Sequence, residues 1–122
     1  MKPPHPMLYA RTRDDGSGFG TQRVVSNDWE VDGGGAVAAD GDGNVYVMWH
    51  SGPRGSEEKD RRIYLRRSTD DGASFGREQV ISPPTTGVCG CCAMQAIADR
   101  DGNLYVAYRA AGNNVHRDII LL

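Results

Sequence analysis

Three cysteines that lie close together are the residues of this sequence best suited to chemistry. Cys89, Cys91 and Cys92 occupy the segment VCGCC and are all the cysteines of the chain. Thiolates are soft ligands, so such a cluster can hold zinc or copper. The C-x-C-C pattern departs from the C-x-x-C spacing of common zinc sites. The alternatives are that the cysteines pack as small hydrophobic groups or that two of them form a disulfide.

Two acidic segments that contain glycine form a second group of candidates. TRDDGSGFG begins at Thr12 and STDDGASFG begins at Ser68. An aspartate beside a glycine is compatible with a catalytic carboxylate, a metal loop or a tight turn. The positions that carry the pattern are Thr12, Asp14, Gly16 and Phe19 in the first copy, and Ser68, Asp70, Gly72, Ser74 and Phe75 in the second.

The segment DGDGN, from Asp40 to Asn44, has the start of a calcium loop. An EF-hand loop needs glycine at its sixth position and glutamate at its twelfth, and those positions are Val45 and Ser51 here. Gly and Asn readily adopt a positive φ angle, so we predict a hairpin turn instead.

Composition and charge exclude several classes of function. The net charge is −2, with acidic and basic residues interspersed, which argues against a nucleic-acid-binding protein. No apolar run approaches the ~18 residues of a membrane-spanning helix, and the N-terminal segment shows no signal peptide. The localisation therefore stays undetermined, and an odd number of clustered cysteines leaves the redox compartment open.

Short apolar segments separated by Gly, Asp, Asn and Pro predict an all-β chain, and parts of it repeat. Asp14 and Asp70 are 56 positions apart, as are the segments RRIYL and RDIIL, which begin at Arg61 and Arg117. DGDGNVYVMWH, from Asp40, recurs as DRDGNLYVAYR 59 positions later. Elements that recur in one order at nearly one period indicate a repeated supersecondary unit.

The unit spans residues 35–82 and is predicted to contain four antiparallel strands. Its strand VYVMWH is apolar on both faces and must be covered on both sides. Four-stranded units with this repeat length are typical of β-propeller blades, and a β-sandwich is the alternative. The small side chains expected beside a central axis are Ala36, Ala38 and Ala39, then Ala93, Ala96 and Ala98.

The chain is predicted to hold about two and a quarter blades, fewer than a closed propeller requires. Residues 8–26 supply strands three and four of one blade, residues 35–82 form a complete blade, and residues 92–122 supply strands one to three of the next. We therefore expect a fragment of a longer protein, or copies that assemble into a ring. Open blade edges are pairing sites, so self-association is expected.

The segment STDDGASF resembles the Asp-box of the bacterial neuraminidase repeat, S/T-x-D-x-G-x-T/S-W/F. The first copy departs from that pattern at Gly18. The chain thus resembles part of a six-bladed sialidase-type propeller, and it resembles bacterial sialidase-like proteins that carry a CGCC…VHRDI segment. The resemblance implies that the Asp-box is structural and lies on the face opposite the active site. The physics of an aspartate that accepts backbone N–H groups agrees.

The same resemblance implies that the functional face holds the links between units and the loops between second and third strands. The cysteines fall on this face, where His50 and His116 would be further metal ligands and Trp29 could stack on a sugar ring. The candidate residues of this face are Trp29, Asp32, His50, Arg54, Arg109 and His116.

Two functions follow from different classes of protein. One is a sialidase-like glycoside hydrolase, which would need an arginine cluster, a tyrosine nucleophile with its glutamate, and an acid/base residue. The Phe/Tyr-Arg-Ile-Pro motif of those enzymes is absent here, and no position identifies an arginine triad or a catalytic residue. The other is a non-catalytic propeller that binds a glycan or a protein, with a metal at the cysteine loop. Fold alone does not decide between them.

Overall fold

The structure is a computed structural model that describes residues 5–26, 31, 33–112 and 117–122. These residues form nine β-strands and one turn of 3₁₀ helix (Glu58–Asp60), without an α-helix, which confirms the all-β prediction. The described part of the chain has no helix with the length and apolar character needed to cross a membrane. The strands are β1 (Met7–Tyr9), β2 (Arg23–Ser26), β3 (Ala36–Ala39), β4 (Val45–Ser51), β5 (Arg62–Ser68), β6 (Gln79–Val80), β7 (Gln95–Ala98), β8 (Leu104–Arg109) and β9 (Ile119–Leu121).

The strands form three antiparallel sheets, and neighbours in each sheet are neighbours in the sequence. The first sheet is β1-β2, the second is β3-β4-β5-β6, and the third is β7-β8-β9. β4 and β5 pair over the whole of their length, from Val45 opposite Ser68 to Ser51 opposite Arg62. Each sheet is open, so each ends in edge strands.

Strand β4 lies at the centre of the molecule and is buried over all seven of its residues. Tyr46 and Met48 on one face join a core that also contains residues of β8 in the third sheet. Val47 and Trp49 on the other face join a second core that contains Val25 of the first sheet. Both faces of β4 are therefore covered, as an uninterrupted apolar strand requires.

Two hairpins with aspartate at their first position connect β3 to β4 and β7 to β8. Asp40 Oδ1 accepts hydrogen bonds from the backbone N–H groups of Asp42 (2.8 Å) and Asn44 (3.2 Å). Asp99 makes the equivalent bonds in the second hairpin, at 2.9 and 2.8 Å. The carboxylates close turns that join paired strands, which agrees with the predicted hairpin rather than a calcium loop.

The outer face of the third sheet is apolar and exposed. Ile97 is 66% exposed, Leu121 is 68% exposed, and Tyr105 lies on the strand between them at 42%. Side chains two residues apart on a strand share a face, which places Ile119, 72% exposed, beside Leu121. A contiguous apolar face of this kind usually has a partner.

Candidate metal centre

Three loops meet at one end of the second and third sheets. The backbone N–H of Val88 donates to the carbonyl of Glu58 in the 3₁₀ turn at 3.1 Å. The N–H of Cys89 donates to the carbonyl of Arg109, at the end of β8, at 3.0 Å. The N–H of Ala111 donates to the carbonyl of Thr86 at 3.0 Å. The segment that precedes β7 is therefore anchored on both sides, and it carries the three cysteines.

The three thiol groups converge on one point. The Sγ atoms of Cys89 and Cys92 are 3.0 Å apart, those of Cys89 and Cys91 are 3.5 Å apart, and those of Cys91 and Cys92 are 3.9 Å apart. The three ligand atoms lie within 4.8 Å of one another, so the predicted cluster exists as a group within metal-binding distance. Metal–sulfur bonds are ~2.3 Å long, and every sulfur–sulfur separation is shorter than twice that length.

The cysteines differ in exposure, which separates the alternatives considered for them. All three are free thiols, so the structure contains none of the disulfides considered from the sequence. Cys89 is buried, Cys92 is intermediate and Cys91 is exposed. Packing as small hydrophobic groups accounts for Cys89 but not for the exposed Cys91. An ion at the cluster would reach solvent on the side of Cys91.

Two guanidinium groups flank the sulfurs. Arg109 Nη1 donates to Cys92 Sγ at 3.6 Å, and Arg117 Nη1 donates to Cys89 Sγ at 3.5 Å. Arg109 Nε also donates to the carbonyl of Arg117 at 3.4 Å, which holds the two arginines side by side. Cationic donors next to sulfur stabilise thiolates, the form that binds metals.

Glu58 fastens the cysteine loop to the rest of the site. Its Oε1 accepts a hydrogen bond from the backbone N–H of Gly90 at 2.8 Å, and its Oε2 accepts one from Arg117 Nη2 at 2.8 Å. These bonds lower the pKa of Glu58, the Gly90 N–H having the larger effect. One carboxylate thus positions both the loop and a guanidinium that touches it.

The pKa values of two thiols shift in opposite directions. Burial away from water raises the pKa of Cys89. The pKa of Cys92 is lowered, first by the hydrogen bond that it accepts from the Cys89 thiol and then by the one from Arg109. Of these two thiols, Cys92 is therefore the better prepared to ionise, with Cys89 as its hydrogen-bond donor.

His50 is buried behind the cysteine loop, at 1% exposure in β4. A Cβ atom built on Gly33 would lie 2.5 Å from the carbonyl oxygen of Gly90 and 2.7 Å from Nε2 of His50, so the three residues are close neighbours. Among the described residues, the group with ligand atoms within metal-binding distance is the three cysteines alone. The structure therefore brings His50 to the loop but does not add it to the ligand set.

Of the remaining predicted residues of this face, one contacts the cysteine cluster and the others do not or lie outside the described residues. Arg109 contacts the cluster, whereas Arg54 is exposed in the loop that follows β4. Trp29, Asp32 and His116 lie outside the described residues, so their roles stay predictions.

A cleft of about 590 Å³ lies beside the Glu58–Arg117 pair. Its cationic side is formed by Lys59, Arg61 and Arg117, and Lys59 Nζ is paired with Glu57 Oε2 at 2.9 Å. The other lining residues of the cleft are Ser56, Glu57, Glu58, Ala111 and Gly112.

The second acidic turn is a compact network of hydrogen bonds. Ser68, which is buried, accepts from the Gly72 N–H at 2.8 Å and donates to Asp70 Oδ1 at 2.7 Å. Asp70 Oδ1 also accepts from the Ser74 N–H at 2.8 Å. Hydrogen bonds from the side chains of Ser74 and Ser68 hold the pKa of Asp70 well below its usual range. The aromatic residue of this turn has a packing role, since Phe75 packs edge-on against Tyr9, with ring centroids 5.0 Å apart.

The first acidic turn is built differently. Its carboxylate bond to the backbone is made by Asp15, which accepts from the Ser17 N–H at 2.9 Å. Thr12 is exposed and bridges Phe19, which is itself 65% exposed. Gly16 has a φ of 72°, so this copy keeps the glycine conformation of the turn, as Gly72 does with 82°. The aspartate that fastens the turn differs between the copies.

Two contributors to the centre are not among the candidate residues that the sequence singled out. Glu58 and Arg117 lie 59 positions apart and meet only in the fold. One sequence signal pointed to Arg117, because it begins the segment RDIIL, which repeats the segment RRIYL that begins at Arg61. The spacing of the cysteines contains a second signal, which points to a metal site. Cys89 and Cys92 are separated by two residues and so form a C-x-x-C pair within the C-x-C-C pattern.

No protein-family model and no curated protein matches the chain. What the centre can do follows from its three thiols, its two guanidinium groups and the carboxylate that positions them.

Proposed function

We propose that the chain carries a thiolate centre that binds one soft metal ion through Cys89, Cys91 and Cys92. The observation that carries the proposal is the convergence of the three Sγ atoms within 4.8 Å of one another. Thiolates select Zn²⁺, Cu(I) and iron–sulfur clusters over hard ions such as Mg²⁺ or Ca²⁺. Zinc and copper are therefore the candidate cofactors.

The surroundings of the sulfurs support a binding site rather than a chance cluster. The Gly90 N–H between the first two cysteines is held by Glu58 at 2.8 Å. The backbone of Cys89 is held by the Arg109 carbonyl at 3.0 Å. A ligand set that is ordered before the metal arrives loses less conformational entropy on binding. Hydrogen bonds around the ligands orient them, as the partners of metal ligands commonly do.

The scaffold is proposed to be part of a sialidase-type β-propeller, with the units 8–26, 35–82 and 92–122 predicted above. Consecutive strands pair within each sheet, and the second sheet packs between the first and the third. The second and third sheets approach each other through β3 and β7, which carry the small alanines. The apolar outer face of the third sheet is what a further blade would cover. An experimental structure with the sheets paired as a sandwich would contradict this scaffold.

A role in glycan chemistry is the second candidate, and the cationic side of the cleft favours it. Lys59, Arg61 and Arg117 could attract an acidic sugar, although Glu57 and Glu58 would compete for the same cations. Turnover of a fluorogenic sialoside by the purified protein would support the hydrolase. Binding of acidic glycans without turnover would support the non-catalytic module, and the absence of both turnover and binding would remove this candidate.

The metal proposal is tested by measuring metal content and affinity with reduced protein under anaerobic conditions. We expect one Zn²⁺ or Cu(I) per chain, and loss of binding in Cys89→Ser, Cys91→Ser and Cys92→Ser. Asp101→Asn, in the hairpin between β7 and β8, is the control and should bind as the wild type does. Equal metal content in the wild type and in the variant with all three cysteines replaced would refute the centre.

A further inference from the structure

We infer that the centre selects Cu(I) and holds it with three sulfur ligands, an inference that rests on the proposed thiolate centre. Two observations on the described residues carry it. The ligand atoms that converge are three sulfurs, and the groups that face them carry a charge suited to a monovalent ion. Zn²⁺ is the competing occupant.

The number of ligands favours Cu(I). Structural zinc sites are almost always four-coordinate and tetrahedral, and catalytic zinc sites keep three protein ligands and one water. The described residues supply three sulfurs, with no fourth His, Cys, Asp or Glu atom in the group. Cu(I) has no need of a fourth ligand, because three soft thiolates complete its coordination. His116 lies outside the described residues, so the experiment below tests it directly.

The charge around the sulfurs points to the same ion. Three thiolates with one monovalent cation leave two negative charges, and the guanidinium groups of Arg109 and Arg117 donate to the sulfurs of Cys92 and Cys89. Glu58 adds a negative charge next to Arg117, and the positive charge of Arg61 acts on the same carboxylate. The group is then neutral with Cu(I), whereas a divalent ion would leave an excess positive charge between two arginines.

The graded exposure of the ligands provides a route for a soft ion to enter. Cys91 is exposed and Cys89 is fully buried, and the sulfur of Cys91 is 3.5 Å from that of Cys89. An ion held by a thiol in solution can bind Cys91 first and exchange ligands inward to Cys92 and Cys89. Each exchange forms one copper–sulfur bond to a cysteine and breaks one to the carrier thiol, which leaves with the proton that the cysteine gives up, so the copper stays Cu(I) throughout.

The affinities of Cu(I) and Zn²⁺ are measured by competition, with bicinchoninate for Cu(I) and a zinc-responsive chelator for Zn²⁺. X-ray absorption then counts the sulfur neighbours of the copper. Tight binding of one Cu(I) with three sulfur neighbours, unchanged in His116→Ala, is the expected result. Zn²⁺ that binds as tightly as Cu(I), or a copper with two sulfurs or with a nitrogen lost in His116→Ala, would overturn the inference and leave the thiolate centre standing. Failure to bind either ion would overturn both.

Variants of the arginines test the electrostatic part of the inference. Arg109→Gln and Arg117→Gln should each weaken Cu(I) binding roughly 10- to 100-fold, the range seen when groups that support metal ligands are removed. Arg109→Lys keeps the charge and should retain most of the affinity. Arg100→Gln, an exposed arginine in the hairpin that contains Asp99, should not change it. Arg117→Gln also removes the partner of Glu58, so Arg109→Gln is the cleaner variant. Unchanged affinity in Arg109→Gln would contradict the role of charge.

Discussion

Glu58 Oε1 accepts a hydrogen bond from the backbone N–H of Gly90 at 2.8 Å, across 32 positions of sequence. This contact joins the 3₁₀ turn between β4 and β5 to the loop that presents the thiols. Because the other oxygen of Glu58 binds Arg117, the same side chain positions a ligand loop and a cation next to it. The centre is therefore organised by a residue that contributes no ligand atom.

Removing the Glu58 carboxylate should loosen the cysteine loop. We expect Glu58→Ala to raise the rate at which Cys89 reacts with a thiol reagent about tenfold, the effect of losing a hydrogen bond to a charged group worth ~1.5 kcal/mol. Glu58→Gln keeps an acceptor for Gly90 and should lie between the two. Mass spectrometry after timed alkylation assigns the rate to Cys89. Equal rates in Glu58→Ala and the wild type would show that the loop is held by its backbone contacts alone.

Because both faces of β4 are buried, truncating a side chain on either face should lower the free energy of unfolding. Met48 is fully buried and packs toward the third sheet, whereas Trp49 is fully buried and packs toward the first. Met48→Ala should lower the free energy of unfolding by ~2–5 kcal/mol and Trp49→Ala by ~3–5 kcal/mol. Val37→Ala, at a side chain 60% exposed on β3, is the control and should cost about 0.5 kcal/mol or less. Urea denaturation measures all three, and a small loss at either buried position would contradict coverage of that face.

Local sequence patterns predicted more of the fold than of the candidate site. The run VYVMWH predicted a strand buried on both faces, because side chains alternate along a strand and all of these are apolar or aromatic. The three cysteines lie within four positions of the sequence, so their cluster in space could be predicted. Glu58 and Arg117 could not be placed in this way, because their pairing depends on how two loops meet. The first acidic turn shows the same limit of sequence patterns at short range. The repeat predicts that Asp14 fastens the turn, whereas the hydrogen bond from the Ser17 N–H is accepted by Asp15.

Asp70 should make the protein sensitive to acid. Its pKa is lowered in the folded state, so it contributes stability that is fully present above its unfolded pKa of about 3.9 and is lost as the pH falls through the folded value. The melting temperature of the wild type should therefore fall more steeply below about pH 4 than that of Asp70→Asn. Asp14→Asn, at the equivalent position of the first turn, is the matched control. Parallel pH profiles for the wild type and Asp70→Asn would contradict the role of this network.

The exposed apolar face of the third sheet keeps self-association as a prediction. Ile97 and Leu121 project from this face and are 66% and 68% exposed. Ile97→Lys and Leu121→Lys should shift the purified chain toward the monomer in sedimentation velocity, because each puts a charge into the apolar surface. Arg100→Gln serves again as a control outside the face. A wild-type chain that stays monomeric at high concentration would contradict the prediction.

Gly33 and Gly16 form a matched pair that tests how closely the centre is packed. Both have a positive φ, 70° and 72°, so alanine imposes a similar backbone cost of ~1–2 kcal/mol at each. The surroundings differ, because a Cβ atom at Gly16 meets nothing within 4 Å whereas one at Gly33 comes within 2.5 Å of the Gly90 carbonyl oxygen. Gly33→Ala should therefore destabilise the protein more than Gly16→Ala does. It should also weaken metal binding, because Gly90 lies between two ligands and must move to relieve the contact. Gly16→Ala should leave metal affinity unchanged, so an equal affinity in both variants would show that the cysteine loop adjusts without disturbing its sulfurs.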